Sequence, residues 1–286
     1  MFKGKVVIIT GAAGGIGQAL ASRLSEEGAR LVLTDIRRKE LEKMAEALNL
    51  RDVMVLTVEH DVSRPESWEK LMDFVVRTWG RVDILINNAG LVHPGAAWEI
   101  PREKVERQVA VNLLGTIFGC QAAVRVMRKQ RWGKIVNVAS LGGIVPMPGE
   151  TVYCATKFAI RGYSLSLAAE LQGEPISVSA VCPDSVDTPQ LAYELLHDEA
   201  VMSFIGRPLR PEKAARAILR AAAGDGPELL VPRGTGTVCR LGMAFPKLFF
   251  RLFPILRKIG SREIVRRRKE QASKGNVPGF EAKGSR

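Results

Sequence analysis

The stretch that most restricts the fold is Lys5–Thr10 (KVVIIT), followed at once by a glycine-rich turn and a helical pattern over Gln18–Glu27. A short, β-branched, non-alternating run is the pattern of a parallel strand buried on both faces. The turn carries G-x-x-x-G-x-G spacing at Gly11, Gly15 and Gly17. Strand, glycine-rich turn, helix is the context in which backbone can approach a pyrophosphate while a helix N-terminus offers amides and a positive dipole end. The competing reading is a plain tight turn joining strand to helix.

The rest of the chain repeats this unit. Further strands are expected at Arg30–Thr34, Val53–Val58, Val82–Ile86, Ile135–Val138, Ile176–Val181 and Glu228–Val231. Between them, Ser63-Arg64-Pro65-Glu66 reads as the N-cap and first turn of a helix running to Trp79. Further helices are expected from about Arg102 to Lys129, Thr151 to Leu171 and Pro211 to Ala223. Strands alternating with helices in this way predict an α/β chain with one doubly wound, roughly seven-stranded parallel sheet flanked by helices. The expected division is a domain at 1–236 with a substrate loop at about 184–210, a basic amphipathic extension at 237–270, and a disordered tail at 271–286. Ligands of such sheets bind beyond the carboxyl ends of the strands. Gly11–Gly17, Asp35, Asp61, Asn87–Gly90, Ser140 and Pro183 all fall there.

Two sets of residues add chemistry. Asp35 ends the second strand, 18 residues after Gly17. A carboxylate there can accept hydrogen bonds from ribose hydroxyls and repels a 2′-phosphate, which favours NAD(H). Arg37 and Arg38 come immediately after it and keep NADP(H) open. Tyr153 and Lys157 lie four apart in a Pro-free helical segment and so share a face. A phenol titrates near pH ~10 and a neighbouring cation lowers that value, which would suit Tyr153 to proton transfer. A surface Tyr–Lys pair is the bland alternative.

Taken in order, Thr10-Gly-x-x-x-Gly-x-Gly17, Asp61-Val62, Asn87-Asn88-Ala89-Gly90, Asn112, Ser140 and Tyr153-x-x-x-Lys157 resemble the short-chain dehydrogenase/reductase family over roughly residues 4–235. The resemblance implies a Rossmann fold and hydride transfer between a nicotinamide and an alcohol or ketone carbon. It implies that Tyr153 exchanges the proton and that Ser140 positions the substrate oxygen. Lys157 would bind the nicotinamide ribose and depress the Tyr153 pKa, and Asn112 would help hold a water linking Lys157 to solvent. It further implies cofactor contacts from Gly11, Gly15, Ile16, Gly17, Asp35, Asp61, Val62, Asn88, Ala89, Gly90, Tyr153, Lys157, Pro183, Val186 and Thr188, with no metal. One departure is Asp184, where the family usually has Gly after Pro183. A requirement for positive φ there would strain it.

Apolar residues between Pro189 and Arg210, among them Leu191, Tyr193, Leu195, Met202 and Phe204, suggest a lipophilic alcohol or ketone substrate, steroid-, retinoid- or fatty-acyl-like, with packing on the protein body as the equal alternative. The net charge of +12 is concentrated at the end: residues 237–286 hold 13 Lys/Arg and 3 Asp/Glu, leaving 29 and 27 for the rest. Arg240–Ile259 interleaves Phe, Leu and Ile with cations and contains two prolines, which argues against a spanning helix and for an interfacial segment over about 240–269. Docking on the protein body, a subunit interface and nucleic-acid binding compete, the last not expected. Four dispersed cysteines and a start that runs directly into a strand fit a cytoplasmic protein with reduced thiols, peripheral to an intracellular membrane. The resemblance implies a homodimer or homotetramer, and the small residues Ala155, Ala159 and Gly162 would let the Tyr153 helix approach a partner. Two rivals stand: a soluble NADPH-dependent polyol or 3-oxoacyl thioester reductase, and a non-catalytic nucleotide-sensing protein.

Overall fold

The structure, a computed structural model, describes residues 1–48 and 54–273. Its centre is a seven-stranded sheet in the order β3-β2-β1-β4-β5-β6-β7, with every neighbouring pair parallel. The strands are β1 Val6–Thr10, β2 Arg30–Asp35, β3 Val55–Glu59, β4 Ile84–Asn87, β5 Gly133–Val138, β6 Ile176–Pro183 and β7 Glu228–Val231. The strand order reverses direction between β1 and β4, so a crevice opens beyond their carboxyl ends.

β1 shows why its sequence is uniformly apolar. Val7 and Ile9 pack with α1 (Gly15–Glu26), α2 (Arg38–Ala47) and α8 (Pro211–Ala223) through Leu20, Leu24, Leu41 and Ile218. Val6 and Ile8 face the opposite layer, α3 (Pro65–Trp79) and α5 (Gly115–Gln130), through Trp68, Leu71, Cys120 and Met127. Each fully buried Ile or Leu contributes about 1.5–3 kcal/mol, which is why both faces of this strand carry apolar side chains.

The helical stretch Arg102–Gln130 has the length and hydropathy of a membrane span, but it lies along the sheet against α3 and β5. It is interrupted: α4 (Arg102–Gln108) passes through a π turn, Val109–Leu114, into α5. The remaining helices are α6 Thr151–Glu170, α7 Pro189–Glu194, α9 Arg233–Ala244, α10 Pro246–Arg251 and α11 Phe253–Ser273.

Several boundaries differ from expectation: β4 begins at Ile84 rather than Val82, β5 at Gly133 rather than Ile135, β6 runs on to Pro183, and α1 begins at Gly15 rather than Gln18. The N-cap of α3 is Arg64, not Ser63, because the Ser63 hydroxyl donates to Asp61 Oδ1 at 2.6 Å. β3 begins at Val55, and Val53 lies outside the described residues. Gln271–Ser273, expected to be disordered, continue α11, and the rest of that tail, 274–286, lies outside the described residues.

Candidate active site

The glycine turn is shaped by close approach. Gly11 has φ +61°, and a Cβ there would lie 2.8 Å from Ala89 Cα. A Cβ on Gly17 would lie 2.5 Å from Gly11 O. No side chain caps α1 at Gly14, so the first-turn amides remain for an anion. Thr10 Oγ1 accepts the amides of Asn88 and Ala89, both at 3.0 Å, and Asn88 Nδ2 donates to Thr10 O at 2.9 Å. These bonds lock the ends of β1 and β4 together. The Thr188 side chain comes over the same turn, 2.7 Å from where a Cβ on Gly15 would be.

Asp35 is almost buried at the end of β2; it accepts the Ala13 amide at 3.2 Å and pairs with Arg37 Nε at 3.2 Å. Asp61 is held by Ser63 and by Arg64 at 3.4 Å. Val62 is buried, and its carbonyl accepts from Trp68 Nε1 at 2.9 Å.

A cavity of about 480 Å³ opens beside this turn. Ile16, Asn88, Gly90, Pro183, Val186 and Thr188 lie on its wall together with Ser140, Tyr153 and Lys157. Asp61, Val62 and Asn112 stand off that wall. The structure therefore gathers the glycine turn and the Tyr-Lys-Ser group at one crevice, and its uncapped amides, the Asp35 carboxylate and the Lys157 amine fit a nicotinamide dinucleotide.

Ser140, two residues past the end of β5, is in extended backbone, accepts the Gly142 amide at 3.0 Å and acts on the Tyr153 phenol. Lys157 Nζ donates to Val138 O at 2.9 Å and lies 5.5 Å from the Tyr153 ring centroid. Asn112 sits fully buried in the π turn, the kind of helix defect often found at functional sites. Its amide brackets Leu91, accepting from N and donating to O at 2.9 Å each, and also donates to Thr156 Oγ1 at 3.1 Å. This side chain thus fixes the loop after β4 and the first turns of α6; a Cβ on Gly90 would be 3.5 Å from both Asn112 Oδ1 and Lys157 Nζ.

The electrostatics correct one expectation. Burial pushes the Tyr153 phenol up, not down, and the Glu194, Glu150 and Cys154 charges add to the rise while the Ser140 hydrogen bond opposes it. Burial also lowers the Lys157 ammonium to about 8. The cation expected to stabilise phenolate is held on a carbonyl and is itself weakened, so the buried phenol rests as a proton donor.

The two carboxyls were not singled out by sequence reasoning. Glu150 Oε1 accepts from Ser203 Oγ at 2.9 Å and Glu194 Oε1 from Gln190 Nε2 at 3.2 Å; both line the cavity. Burial raises both, and the nearby Glu194 charge raises Glu150 further. The available signal for Glu150 was its place one turn ahead of Tyr153; Glu194 had none. Asp184 resolves without strain: its φ is not positive, its amide donates to Val231 O at 2.7 Å, and its Oδ1 accepts the Ser185 amide at 2.9 Å. Met147, Leu191, Met202, Ile205, Phe249 and Leu256 supply the apolar wall, the last two from α10 and α11.

The short chain dehydrogenase family matches residues 5–199. The chain is 37% identical over 232 residues to 3-oxoacyl-[acyl-carrier-protein] reductase FabG of Thermotoga maritima, covering 78% of this chain and 92% of the relative. Among solved structures, a short chain dehydrogenase/reductase from Burkholderia phymatum in complex with NAD superposes with a TM-score of 0.78 at 28% identity, over 86% of this chain and 95% of that one. An actinorhodin polyketide ketoreductase variant with NADPH superposes with a TM-score of 0.74 at 29% identity, over 80% and 95%. The sheet order, the crevice and these matches agree: the chain belongs to the short-chain dehydrogenase/reductase family and is an oxidoreductase of the NAD(P)-dependent kind.

Proposed function

We propose that this protein transfers hydride between NAD(H) and a secondary alcohol or ketone of a lipophilic molecule, with Tyr153 exchanging the proton. The observation that carries the reading is the convergence of Tyr153, Ser140 and Lys157 on a largely apolar cavity flanked by the glycine turn. When bound, the nicotinamide supplies or accepts the hydride. The protein's own residues handle the oxygen. In the reducing direction the carbonyl oxygen gains the Tyr153 proton as the carbonyl carbon gains the hydride; the Ser140 hydroxyl orients that oxygen. Lys157 would bind the ribose of the bound cofactor, and its amine, 5.5 Å from the Tyr153 ring centroid, would place a cation beside the developing phenolate. Asn112 holds the Leu91 loop and α6 in register. Glycines 11, 15 and 17, Ile16, Asp35, Asn88, Ala89, Gly90, Pro183, Val186 and Thr188 would hold the dinucleotide, and Asp61 and Val62 would contact its adenine.

Apolar walls from Met147, Leu191, Met202, Phe249 and Leu256 support a lipophilic substrate. The outward face of α6, where Ala155, Gly162 and Phe158 are exposed, supports pairing with a second copy; a one-chain mass by light scattering in solution rules that out. Peripheral membrane contact through about 240–269, in a cytoplasmic setting, belongs to the same reading.

A second reading has one observation in its favour. The Arg37 guanidinium already lies on Asp35, which lessens the repulsion of a 2′-phosphate and suits an NADPH-dependent 3-oxoacyl or polyol reductase. One experiment separates these: titration of NADH and NADPH fluorescence, with turnover on a panel of secondary alcohols and ketones, for wild-type, Tyr153→Phe and Asp35→Ala proteins. The primary reading expects NADH preference that weakens in Asp35→Ala. It also expects Tyr153→Phe to keep cofactor affinity while losing at least about a hundredfold in turnover. NADPH preference selects the second reading, and undiminished turnover in Tyr153→Phe overturns the site.

A further inference from the structure

The three C-terminal helices are two-sided. Their inner side is docked on the body. A Cβ on Gly260 would lie 2.0 Å from Val201 O, so only glycine lets α11 sit this close. Ile264, one turn on, is 2% exposed among Leu191, Leu195, Val201 and Phe204. Arg268 donates to Leu195 O and pairs with Asp198, each at 2.7 Å, and Arg240 of α9 pairs with Glu228 of β7. Val238, Cys239, Phe249 and Leu256 form part of the cavity wall. Body docking and membrane contact, which look like alternatives along the chain, therefore need not compete: the inner side meets the first and leaves the outer side for the second.

That outer side is apolar and uncovered. Leu241, Phe245, Leu248, Phe250, Ile255 and Ile259 are each between 43% and 68% exposed. Monomeric soluble proteins rarely leave so many large apolar side chains together in water. Their charged neighbours are of one sign: from Leu229 to Arg262 the chain has seven Lys/Arg and no Asp/Glu. Lys247, Arg251, Arg257 and Lys258 form no ion pair among the described residues. Ile259 and Arg262 also reach a neighbouring groove lined by Arg207, Arg210 and Lys213 as well as Asp187, Glu263 and Glu270; Arg207 lines both that groove and the cavity.

We propose that the outer face of α9–α11 docks on an anionic lipid bilayer, with the cavity behind these helices receiving its substrate from the lipid. Charge decides between occupants. A two-fold interface between copies would set this cationic face against itself. A nucleic acid would meet the cations but leave the Phe, Leu and Ile side chains against phosphates. An anionic bilayer matches both, with aliphatic and aromatic groups in the acyl boundary and cations at the headgroups. Val238 joins the two surfaces, since it is 67% exposed and also lines the cavity. The inference rests on the lipophilic-substrate reading for the route of entry; the docking itself does not.

The test is co-sedimentation of the full-length protein with vesicles of phosphatidylcholine alone and of phosphatidylcholine mixed with phosphatidylglycerol. Wild-type protein is expected to bind the mixed vesicles more than about a hundredfold more tightly, with high salt abolishing the difference. The combined Leu248→Glu and Ile255→Glu variant, whose altered side chains are exposed and off the cavity wall, should lose vesicle binding while NAD(P)H titration confirms its fold. Equal, weak sedimentation of wild-type protein with both vesicle types overturns the proposal, and so does preferential binding to duplex DNA. Light scattering that shows a dimer dispersed by Leu248→Glu assigns the face to a second copy instead. Tyr153→Phe protein should sediment like wild type, so a failed active-site reading and a failed docking surface remain distinguishable.

Discussion

The crevice side around the glycine turn and the cavity side around α7 and α9–α11 are built by different means. On the crevice side, backbone meets backbone: Gly11 against Ala89, Gly17 against Gly11 O, and Thr10 Oγ1 bridging the amides of Asn88 and Ala89. On the cavity side, side chains from segments some hundred residues apart make the wall: Met147, Glu150, Leu191, Ser203, Phe249 and Leu256. Backbone contacts tolerate one residue type at fixed spacing, so they leave motifs. A side-chain wall of the right volume can be assembled in many ways, so it leaves none.

The largest effect should come from the crevice. Gly17→Val places a branched side chain where a Cβ alone is 2.5 Å from Gly11 O and 2.6 Å from Ala12 Cα. We expect most of the folded yield to be lost and NAD(P)H affinity in the soluble remainder to fall at least about a hundredfold, because the helix N-terminus can no longer close on the turn. Near-normal cofactor titration of this variant would contradict the backbone-packing account.

Gly260→Leu makes the equivalent insult on the other side, against Val201 O. Overpacking of this kind costs about 1–3 kcal/mol, and here one helix can leave to relieve it. Hydrogen exchange over residues 253–273 should accelerate and KM for apolar substrates should rise, while cofactor affinity changes by less than about twofold. A matching loss of cofactor affinity would mean that the two sides are not separable.

Glu194→Gln is the subtlest. Its charge helps to hold the Tyr153 phenol up, so removing it should move the rise of the oxidation rate with pH, which follows ionisation of Tyr153, to lower pH. Stability should respond as well. The folded carboxyl keeps its proton above the pH at which the unfolded one loses it. Wild-type stability therefore falls as pH rises above about 4.5, and the advantage of the Gln variant should grow over that range. An unmoved rise would remove Glu194 from the proton chemistry.

These contrasts explain what could be read in advance. The strand at Val6–Thr10, the helix at Pro211–Ala223 and the strand at Glu228–Val231 were legible because local pattern and tertiary burial agree there. Tyr153 and Lys157 were legible as neighbours because helical spacing alone fixes that. The sign of the Tyr153 shift was not, because it depends on how far burial and two distant carboxyls outweigh one cation. Asn112 was visible as an odd polar residue in an apolar helix, but its π turn and its bonds to Leu91 and Thr156 were not.

The order of residues was enough for the doubly wound sheet, the glycine turn and the Tyr153–Lys157 spacing. Each rests on contacts within one element or on glycine spacing that only close backbone approach explains. It took the folded chain to bring Glu150 and Glu194 into one cavity, to set Arg37 on Asp35, and to make the basic C-terminal segment both a wall of that cavity and an exposed apolar face. Those outcomes turn on desolvation and on which surfaces meet across long stretches of chain, and neither is written in the local order of residues.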